Sequence, residues 1–502
     1  MVSLVIRARD AIGLFGLPLL PIDFYISPTG TGTAASGGTQ ADPWPITMIS
    51  NATAQARYAG HTVGLLDGVY DLHTAMNSQA QYFALLNIAS GSSGSPSVIT
   101  AVNPRQAILN AKSGSIYGGL FGANDGNVMI GQDTGVTTGH VTLRGLKITG
   151  VKTCPVRFGT LDYSGGAAYA PGITVEDCEI YDCSALTGLE TQGNLGAVSF
   201  SNCTGLIFRN NYIHDVVGYV ANEANHLQGY IQWNCRNSTI EDNTIVRSGI
   251  GIYAKVDGSY GGTIRRNYVD TSNNTDWAAG LLDWAGNAPT SVVGGSILSI
   301  TNNVIVSMEC LALHRGGTAQ RMMSETLEVY NNTLIHAGGS NGPGSYLMAS
   351  ANSPGSKVYN NLCSNRNAAG SVKALTIMES EYGAMSLCVG PQAIIDYNAY
   401  AGTQNKWTTF ANGASTYPSN FYTGLPAWRT ANAGATGGEQ HSQLITDPSW
   451  VNTGAYAQRY RLNGGSTAVN AGKVGGIVSG GATDLGAYGN GNTRVGCDFA
   501  TE

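Results

Sequence analysis

One lysine, one arginine and a set of carboxylates are the side chains of this sequence best suited to chemistry. Lys255, in Ile252-Tyr253-Ala254-Lys255, can accept a proton when neutral, and Arg315, preceded by His314, can stabilise a developing negative charge. A lysine acts as a base only where burial or nearby cations hold it neutral, and a close carboxylate such as Glu223 or Asp257 opposes that unless it binds a metal. The acids Glu190, Glu223, Asp257, Asp276, Asp283 and Glu309 allow a second chemistry, in which one carboxyl group donates a proton and another acts as base or nucleophile. Asp276-Trp277 and Asp283-Trp284 each set an acid beside an indole. His226, in Ala224-Asn225-His226-Leu227, is a further candidate acid or base, although a lone histidine among strands more often serves as a structural hydrogen-bonding residue.

A recurring phrase must position these residues. It consists of an apolar run, a polar pair that is usually Asn-Asn, and a second apolar run. It reads Leu-Ile-Phe-Arg-Asn-Asn-Tyr-Ile at 206–213, Ser-Thr-Ile-Glu-Asp-Asn-Thr-Ile at 238–245 and Leu-Ser-Ile-Thr-Asn-Asn-Val-Ile at 298–305. The second polar residue gives anchors at Cys178, Asn211, Asn243, Asn267, Asn303, Asn332, Asn361 and Asn398, spaced 24 to 37 residues apart, and such a period means a solenoid. Apolar and polar side chains alternate before each anchor with β-branched and aromatic residues throughout, so each phrase is a strand. Asparagine tolerates the left-handed backbone region and can hydrogen-bond to identical residues above and below, which suits the bend between two strands. The expected fold is all-β, a right-handed single-stranded parallel β-helix. Cys203 and Cys235, each eight residues before an anchor, are expected to stack on adjacent coils.

Twelve residues after Gly145, Cys178, Asn211, Asn243, Asn267 and Asn303 stand Arg157, Glu190, Glu223, Lys255, Ala279 and Arg315. Five of the six are charged in a chain with only 12% charged residues. Coils about 4.8 Å apart would stack them as a ladder. Such a ladder is either a charge-compensated exterior or a substrate groove.

A solenoid is quasi-one-dimensional, so all 502 residues can form one body. The 68 glycines and the low charge suit a turn-rich all-β chain. A net charge of −6 without Lys/Arg clusters argues against nucleic acid as a partner. Nine cysteines, an odd number at irregular spacings, do not form a disulfide framework; buried thiols are expected, with one or two stacked disulfides as the alternative. Zinc-type spacing is absent, and no structural metal is expected.

Residues 1–23 read as an N-terminal docking or capping segment. Within them Ala11 to Ile22 is apolar and follows Arg7 and Arg9, but two prolines interrupt it and no small-x-small site follows, which disfavours an uncleaved export signal. Twelve residues also do not span a bilayer. The β-helix is expected over 24–401. Residues 402–502, richer in Gly, Ser, Thr and Asn and poorer in Asn-Asn phrases, read as terminal coils and a cap.

The segments Phe24-Tyr25-Ile26-Ser27-Pro28, Asp42-Pro43-Trp44-Pro45, His61-Thr62-Val63-Gly64-Leu65-Leu66-Asp67-Gly68-Val69-Tyr70 and Ser95-Pro96-Ser97-Val98-Ile99-Thr100-Ala101, in that order, resemble the opening coils of right-handed β-helix proteins among bacterial polysaccharide lyases and phage tailspikes. Ala427-Trp428-Arg429, Asp447-Pro448, Tyr460-Arg461-Leu462 and Asp484-Leu485-Gly486-Ala487-Tyr488 resemble the same family's ending, so the resemblance covers roughly 24 to 489. It implies a polymeric carbohydrate ligand, lying along a sheet or in a groove made by loops. On a lyase reading, Lys255 or Arg315 is the base that removes the C5 proton of a uronic acid, and a cation or Ca²⁺ neutralises the adjacent carboxylate; no other cofactor is implied. On a glycosidase reading two of Glu190, Glu223, Asp257, Asp276, Asp283 and Glu309 lie about 5 Å apart for retention or roughly 6.5 to 9.5 Å for inversion, and neighbouring coils suit Glu190 and Glu223 to the shorter separation. Arg157, His226, Trp277, Trp284 and His314 are the expected sugar-binding residues. Within that resemblance, the lack of a convincing export signal, the expected free thiols and the lack of an anchoring module lean toward a tailspike-type virion protein, a homotrimer that recognises a bacterial surface polysaccharide and joins the virion tail or an adaptor protein through its N-terminus. A secreted lyase and a purely adhesive spike are the alternatives.

Overall fold

The computed structural model describes residues 21–72, 84–110, 128–131, 139–150, 154–159, 169–184, 195–217, 227–256, 260–273, 278–285, 297–314, 326–337, 345–350, 357–365, 372–378, 394–401, 405–410, 420–423, 425–431, 440–445, 448, 450–451, 456, 460–462, 466, 468, 495–497 and 500. Nearly all of its strands pair in parallel with the equivalent strand of the next coil, which builds three long sheets. The first sheet includes Phe24–Ile26, Val141–Arg144, Ile173–Glu176, Ile207–Arg209, Arg236–Glu241, Tyr260–Arg265 and Ile394–Asp396. In the second are Gly68–Asp71, Glu179–Ser184, Tyr212–Val217, Thr244–Val246, Tyr268–Asp270 and Gln443–Ile445. The third holds Cys154–Gly159, Leu195–Ser201, Leu227–Trp233, Ile250–Val256, Ala279–Ala285, Glu309–His314 and Asn405–Phe410. Each coil visits the three sheets in this order before rising to the next, and the result is the expected right-handed parallel β-helix.

The inner rows explain why the alternating phrases fold this way. Leu143, Val175, Phe208, Ile240, Ile264, Ile300 and Val329 stack in one inward row of the first sheet. Ile148, Ile180, Ile213, Ile245, Val269 and Ile305 do the same in the second. All belong to one buried core that runs the length of the described coils. Burying like on like, coil after coil, removes each apolar face from water without needing a second layer of secondary structure.

At the bend from the first sheet to the second, two neighbouring residues divide the labour that the sequence suggests for one. The left-handed backbone belongs to the residue before each anchor: Gly145, Asp177, Asn210, Asp242, Arg266, Asn302, Asn331, Asn360 and Tyr397 all have φ between 51° and 64°. The anchor asparagines are buried and form the ladder. Asn243 Nδ2 donates to Asn267 Oδ1 at 2.9 Å and to the Phe208 carbonyl at 2.9 Å, while its backbone N–H reaches the same Asn267 oxygen at 3.1 Å. The pattern starts where Cys178 N–H donates to Asn211 Oδ1 and ends where Asn398 N–H donates to Ser442 Oγ.

Helix Ala52–Tyr58 packs Ala54 and Tyr58 onto the core; Asn51 caps it by accepting the Thr53 and Ala54 N–H groups at 3.0 and 3.1 Å. Beyond residue 401, strand Asn405–Phe410 extends the third sheet and meets Asn420–Thr423 in antiparallel pairing, followed by helix Leu425–Ala431. Part of the C-terminal region lies along the outside of the second sheet. Tyr456, Tyr460, Val495, Cys497 and Ala500 form one apolar cluster with Tyr212, Val246, Tyr268, Val304, Val306 and Ile335. Two hydrogen bonds fasten it, from Gly496 N–H to the Arg266 carbonyl at 2.7 Å and from Cys497 N–H to Thr244 Oγ1 at 3.0 Å.

Eight cysteines are described, and all are buried free thiols. Cys203 and Cys235 do stand on adjacent coils, one residue before the register pair Thr204 and Arg236. Residues 1–20 of the N-terminal segment lie outside the described residues.

Candidate active site on the third sheet

Side chains alternate across the third sheet. Val156, Val198, Tyr230, Ile252, Leu281 and Leu311 form an inward row, and Phe158 and Phe200 lie in the next inward row. Between these rows Arg157, Ser199, Ile231 and Tyr253 occupy successive coils of an outward row. Outward here does not mean exposed. Ile231, Ile250, Tyr253 and Ala279 form a small buried cluster separate from the core, with half-buried Trp233 packed against it, and Arg157 and Ser199 are buried as well.

The register row two residues further along the strands reads Gly159, Ser201, Trp233, Lys255, Trp284, His314 on six consecutive coils. Three residues named from sequence, Lys255, Trp284 and His314, are therefore direct register neighbours. At about 4.8 Å per coil, the span from Ser201 to His314 is roughly 19 Å. Asp283 holds the neighbouring row, opposite Ala254 and Leu313. Arg157 lies three coils from Tyr253 in Tyr253's own row.

The twelve-residue ladder does not form. Arg157 shares a row with Tyr253, Lys255 shares one with Gly159, and Ala279 pairs with Ile250 and Glu309. The chain takes a different length to reach the third sheet in each coil: Ile250 comes 7 residues after Asn243, Ala279 comes 12 after Asn267, and Glu309 comes 6 after Asn303. No fixed offset from the anchor survives such variation. Glu190, Glu223, His226, Asp257, Trp277 and Arg315 lie outside the described residues.

A charge ladder does exist, in the first sheet and two residues before each anchor. Arg144, Glu176, Arg209, Glu241 and Arg265 alternate in sign along one row. Glu176 accepts from Arg209 Nε at 2.7 Å and Nη2 at 2.6 Å and faces Arg144 Nε at 3.5 Å; Glu241 takes Arg265 Nε at 2.7 Å and Arg266 Nη2 at 3.0 Å. The offset from anchor to this row is constant because the bend between them has a fixed length, so this ladder was readable in the sequence. Its charges neutralise one another, which suits an exterior and not a reaction centre.

A second polar cluster sits on the outside of the second sheet. The His214 ring stacks between Tyr181 at 5.1 Å and Tyr212 at 4.2 Å, its Nδ1 is 2.7 Å from Asp215, and its Nε2 is 3.6 Å from Glu179. Arg247 binds Asp215 from the next coil at 2.5 and 3.0 Å and holds that carboxyl down to about 2. Burial pushes the Glu179 carboxyl up, but the nearby His214 imidazole and the Lys147 ammonium, 3.0 Å away, together outweigh it and leave the group below its ordinary value. Asp177 goes the other way, raised by burial more than Asn210 lowers it. Sequence reasoning missed this cluster because its members fall outside the charged offset that drew attention.

Among the described residues no three His, Cys, Asp or Glu side chains converge as a metal-holding group. Glu223 and Asp257, the acids a Ca²⁺ would use, lie outside those residues, so no step below is routed through a metal. No described helix is long and apolar enough to cross a membrane.

No family model matches the sequence, and no curated protein matches it. Several solved structures are similar in shape. Pectate lyase Pel9A superposes with a TM-score of 0.45 at 15% identity, over 92% of this chain and 95% of its own. A rhamnogalacturonan lyase gives 0.41 at 14% identity over 75% and 87%. The A-module of the Azotobacter vinelandii mannuronan C-5 epimerase AlgE4 gives 0.37 at 13% identity over 79% and 100%.

Proposed function

We propose that the chain binds a linear, uronate-containing bacterial surface polysaccharide across the outside of its third sheet and cleaves it by β-elimination, with Lys255 as the base. The observation that carries this reading is the row Ser201, Trp233, Lys255, Trp284, His314, which sets a cation between two tryptophan positions on consecutive coils. Indole rings offer flat apolar faces to sugar rings, and steps of about 4.8 Å approximate the length of one sugar unit.

In the reaction, the neutral Lys255 amine takes the C5 proton. The electron pair left behind forms the C4–C5 double bond, and the C4–O bond breaks with its electrons going to the departing glycosyl oxygen, which takes the proton from the Lys255 ammonium to give a new chain end and return the neutral amine. His314 and the following Arg315 are the groups assigned to neutralise the carboxylate beside C5, which acidifies that proton. Arg157 is too far along the sheet to join this step; its buried guanidinium is assigned to the carboxylate of a more distant sugar unit.

The finer part of the proposal is a tailspike-type homotrimer carried on a virion tail, joined through its N-terminal segment to a tail or adaptor protein, with a secreted lyase as the alternative. The free buried thiols support assembly in a reducing compartment.

The test is incubation of the purified protein with a panel of acidic surface polysaccharides, following ultraviolet absorbance of unsaturated uronate together with new reducing ends. Both signals rising on one polymer supports elimination. Reducing ends alone would replace it with hydrolysis by the carboxylates, and tight binding with neither signal would make the protein an adhesive spike.

A further inference from the structure

A tyrosine and an arginine form a braced pair beside the Lys255 row, at the bend where the third sheet gives way to the first. Ala170 pairs in register with Cys203, and its N–H donates to the Asn202 carbonyl. Tyr169 therefore stands beside Asn202 and Asn234, the residues that follow Ser201 and Trp233. Its hydroxyl reaches Asn234 Oδ1 at 3.0 Å, and Asn234 Nδ2 donates in turn to Asn202 Oδ1. The Arg236 guanidinium lies over the Tyr169 ring, 4.1 Å from its centroid. Both asparagines are buried, whereas Tyr169, Arg236 and Trp233 are half-buried and keep part of their surface in water.

The pair adjoins the row along which the polymer is laid. Asn234 follows Trp233 directly, and consecutive Cα atoms are about 3.8 Å apart. The Tyr169 side chain passes the Asn202 coil to reach Asn234, so it runs alongside Ser201 and Trp233 and parallel to the row. A phenol tied at its hydroxyl gives the guanidinium a fixed plane to lie on. Such stacking engages the face of a guanidinium and not its N–H edges, and five donors in a planar fork match a carboxylate. Trp233 lies one coil from Lys255. At about 4.8 Å per coil, the sugar unit over Trp233 is the neighbour of the unit that Lys255 deprotonates.

We infer that Arg236, held flat by Tyr169, binds the carboxylate of the sugar unit over Trp233, next to the unit that reacts. Arg236 is the specificity-determining residue and Tyr169 a positioning residue. The inference rests on the proposed polysaccharide site and narrows its ligand to a polymer with acid groups on consecutive units.

The experiment measures binding of the full chain to two half-methyl-esterified polygalacturonates of equal carboxylate content, one with its free acids in blocks and one with them scattered. Wild type, Arg236→Gln, Arg236→Lys and Tyr169→Phe are compared, with a thermal melt of each. Wild type is expected to bind the blockwise polymer about fivefold more tightly than the scattered one. Arg236→Gln is expected to bring the two within about 1.5-fold by weakening the blockwise polymer alone. Arg236→Lys keeps the charge but not the planar fork, so it should retain no more than about a twofold preference. Tyr169→Phe keeps the ring but loses the hydroxyl tie to Asn234, and should fall between wild type and Arg236→Gln. A merely structural role would lower the melt and weaken both polymers alike. The full preference in a folded Arg236→Gln overturns the assignment, and where that variant does not fold the same result in Arg236→Lys does so. Wild type that binds the two polymers equally also overturns it and leaves the proposed function standing. Wild type that binds neither overturns this inference, and the wider surface-polysaccharide panel then decides the function separately.

Discussion

Lys255 sits directly opposite Trp284 in a parallel strand pair, with Trp233 opposite it on the other side. The pairing joins a possible base to two aromatic positions without help from any loop. If Lys255 is the base, Lys255→Ala lowers kcat at least a thousandfold on the polymer that wild type cleaves, with KM changed less than threefold. Trp284→Ala should do the reverse and raise KM at least fivefold with a smaller loss in kcat, as expected for a sugar platform. Steady-state kinetics on both variants distinguish the roles; equal effects on both parameters in both variants would count against them.

The asparagine ladder makes a prediction about stability. Asn267 accepts both the Asn243 backbone N–H and its Nδ2, and donates to Asn303 Oδ1 at 3.0 Å and the Ile240 carbonyl at 2.9 Å. Asn267→Ala leaves a buried backbone donor unmet and should destabilise the chain by about 3 kcal/mol in urea unfolding. Asn210→Gly, at the half-buried left-handed position one residue before an anchor, adopts that φ of 51° freely and loses the Asn210 Nδ2 donation to Asp177, so it should destabilise the chain by about 1 kcal/mol, well short of the ladder variant.

The thiols provide a third test. Native protein should react with a thiol reagent slowly and at no more than one site, because every described cysteine is buried; only Cys388 lies outside the described residues. In denaturant without reductant all nine should react. Burial pushes the Cys154 thiol up to about 11 and Cys178 to about 12, which slows thiolate chemistry further. Seven reactive thiols in denaturant would instead mean one disulfide, with adjacent Cys203 and Cys235 as the pair to check by mass spectrometry.

The fold was legible because the anchor phrase has fixed internal length. Arg209 and Glu241 stand two residues before Asn211 and Asn243, so the bend, the asparagine ladder and the charged row all repeat in the sequence as they do in space. The third sheet was not legible in the same way. Lys255 and Trp284 are neighbours, yet their anchors lie 12 and 17 residues before them, at Asn243 and Asn267, because the chain inserts a different length before each strand. Lys255, Trp284 and His314 were found by residue type, and their common row emerged only from strand pairing. The contact of Arg236 with Tyr169 gave no sequence signal, since the two stand on different coils and meet only through the register of the bend.

Acid should act on the two polar clusters with opposite signs. Arg247 holds Asp215 down to about 2, below its unfolded value, so the stability this pair contributes is present above about pH 4 and is lost as pH falls toward 2. Asp177 is raised by burial, so its ionised form costs stability at neutral pH, and that cost is recovered as the pH falls and the carboxyl is protonated first in the folded chain. Asp215→Asn should therefore melt below wild type at pH 7, with the difference shrinking between pH 4 and pH 2. Asp177→Asn keeps an acceptor for the Asn210 amide and should melt at or above wild type at pH 7, with any gain vanishing in acid. Thermal melts of the three proteins at pH 7, 5, 4, 3 and 2 in one ionic strength check both signs. A constant gap for Asp215→Asn across that range would show that its contact with Arg247 does not differ in protonation between the folded and unfolded chain. Because the pair is partly exposed and screened, raising the salt at pH 7 should also narrow the Asp215→Asn gap and leave that of Asp177→Asn nearly unchanged.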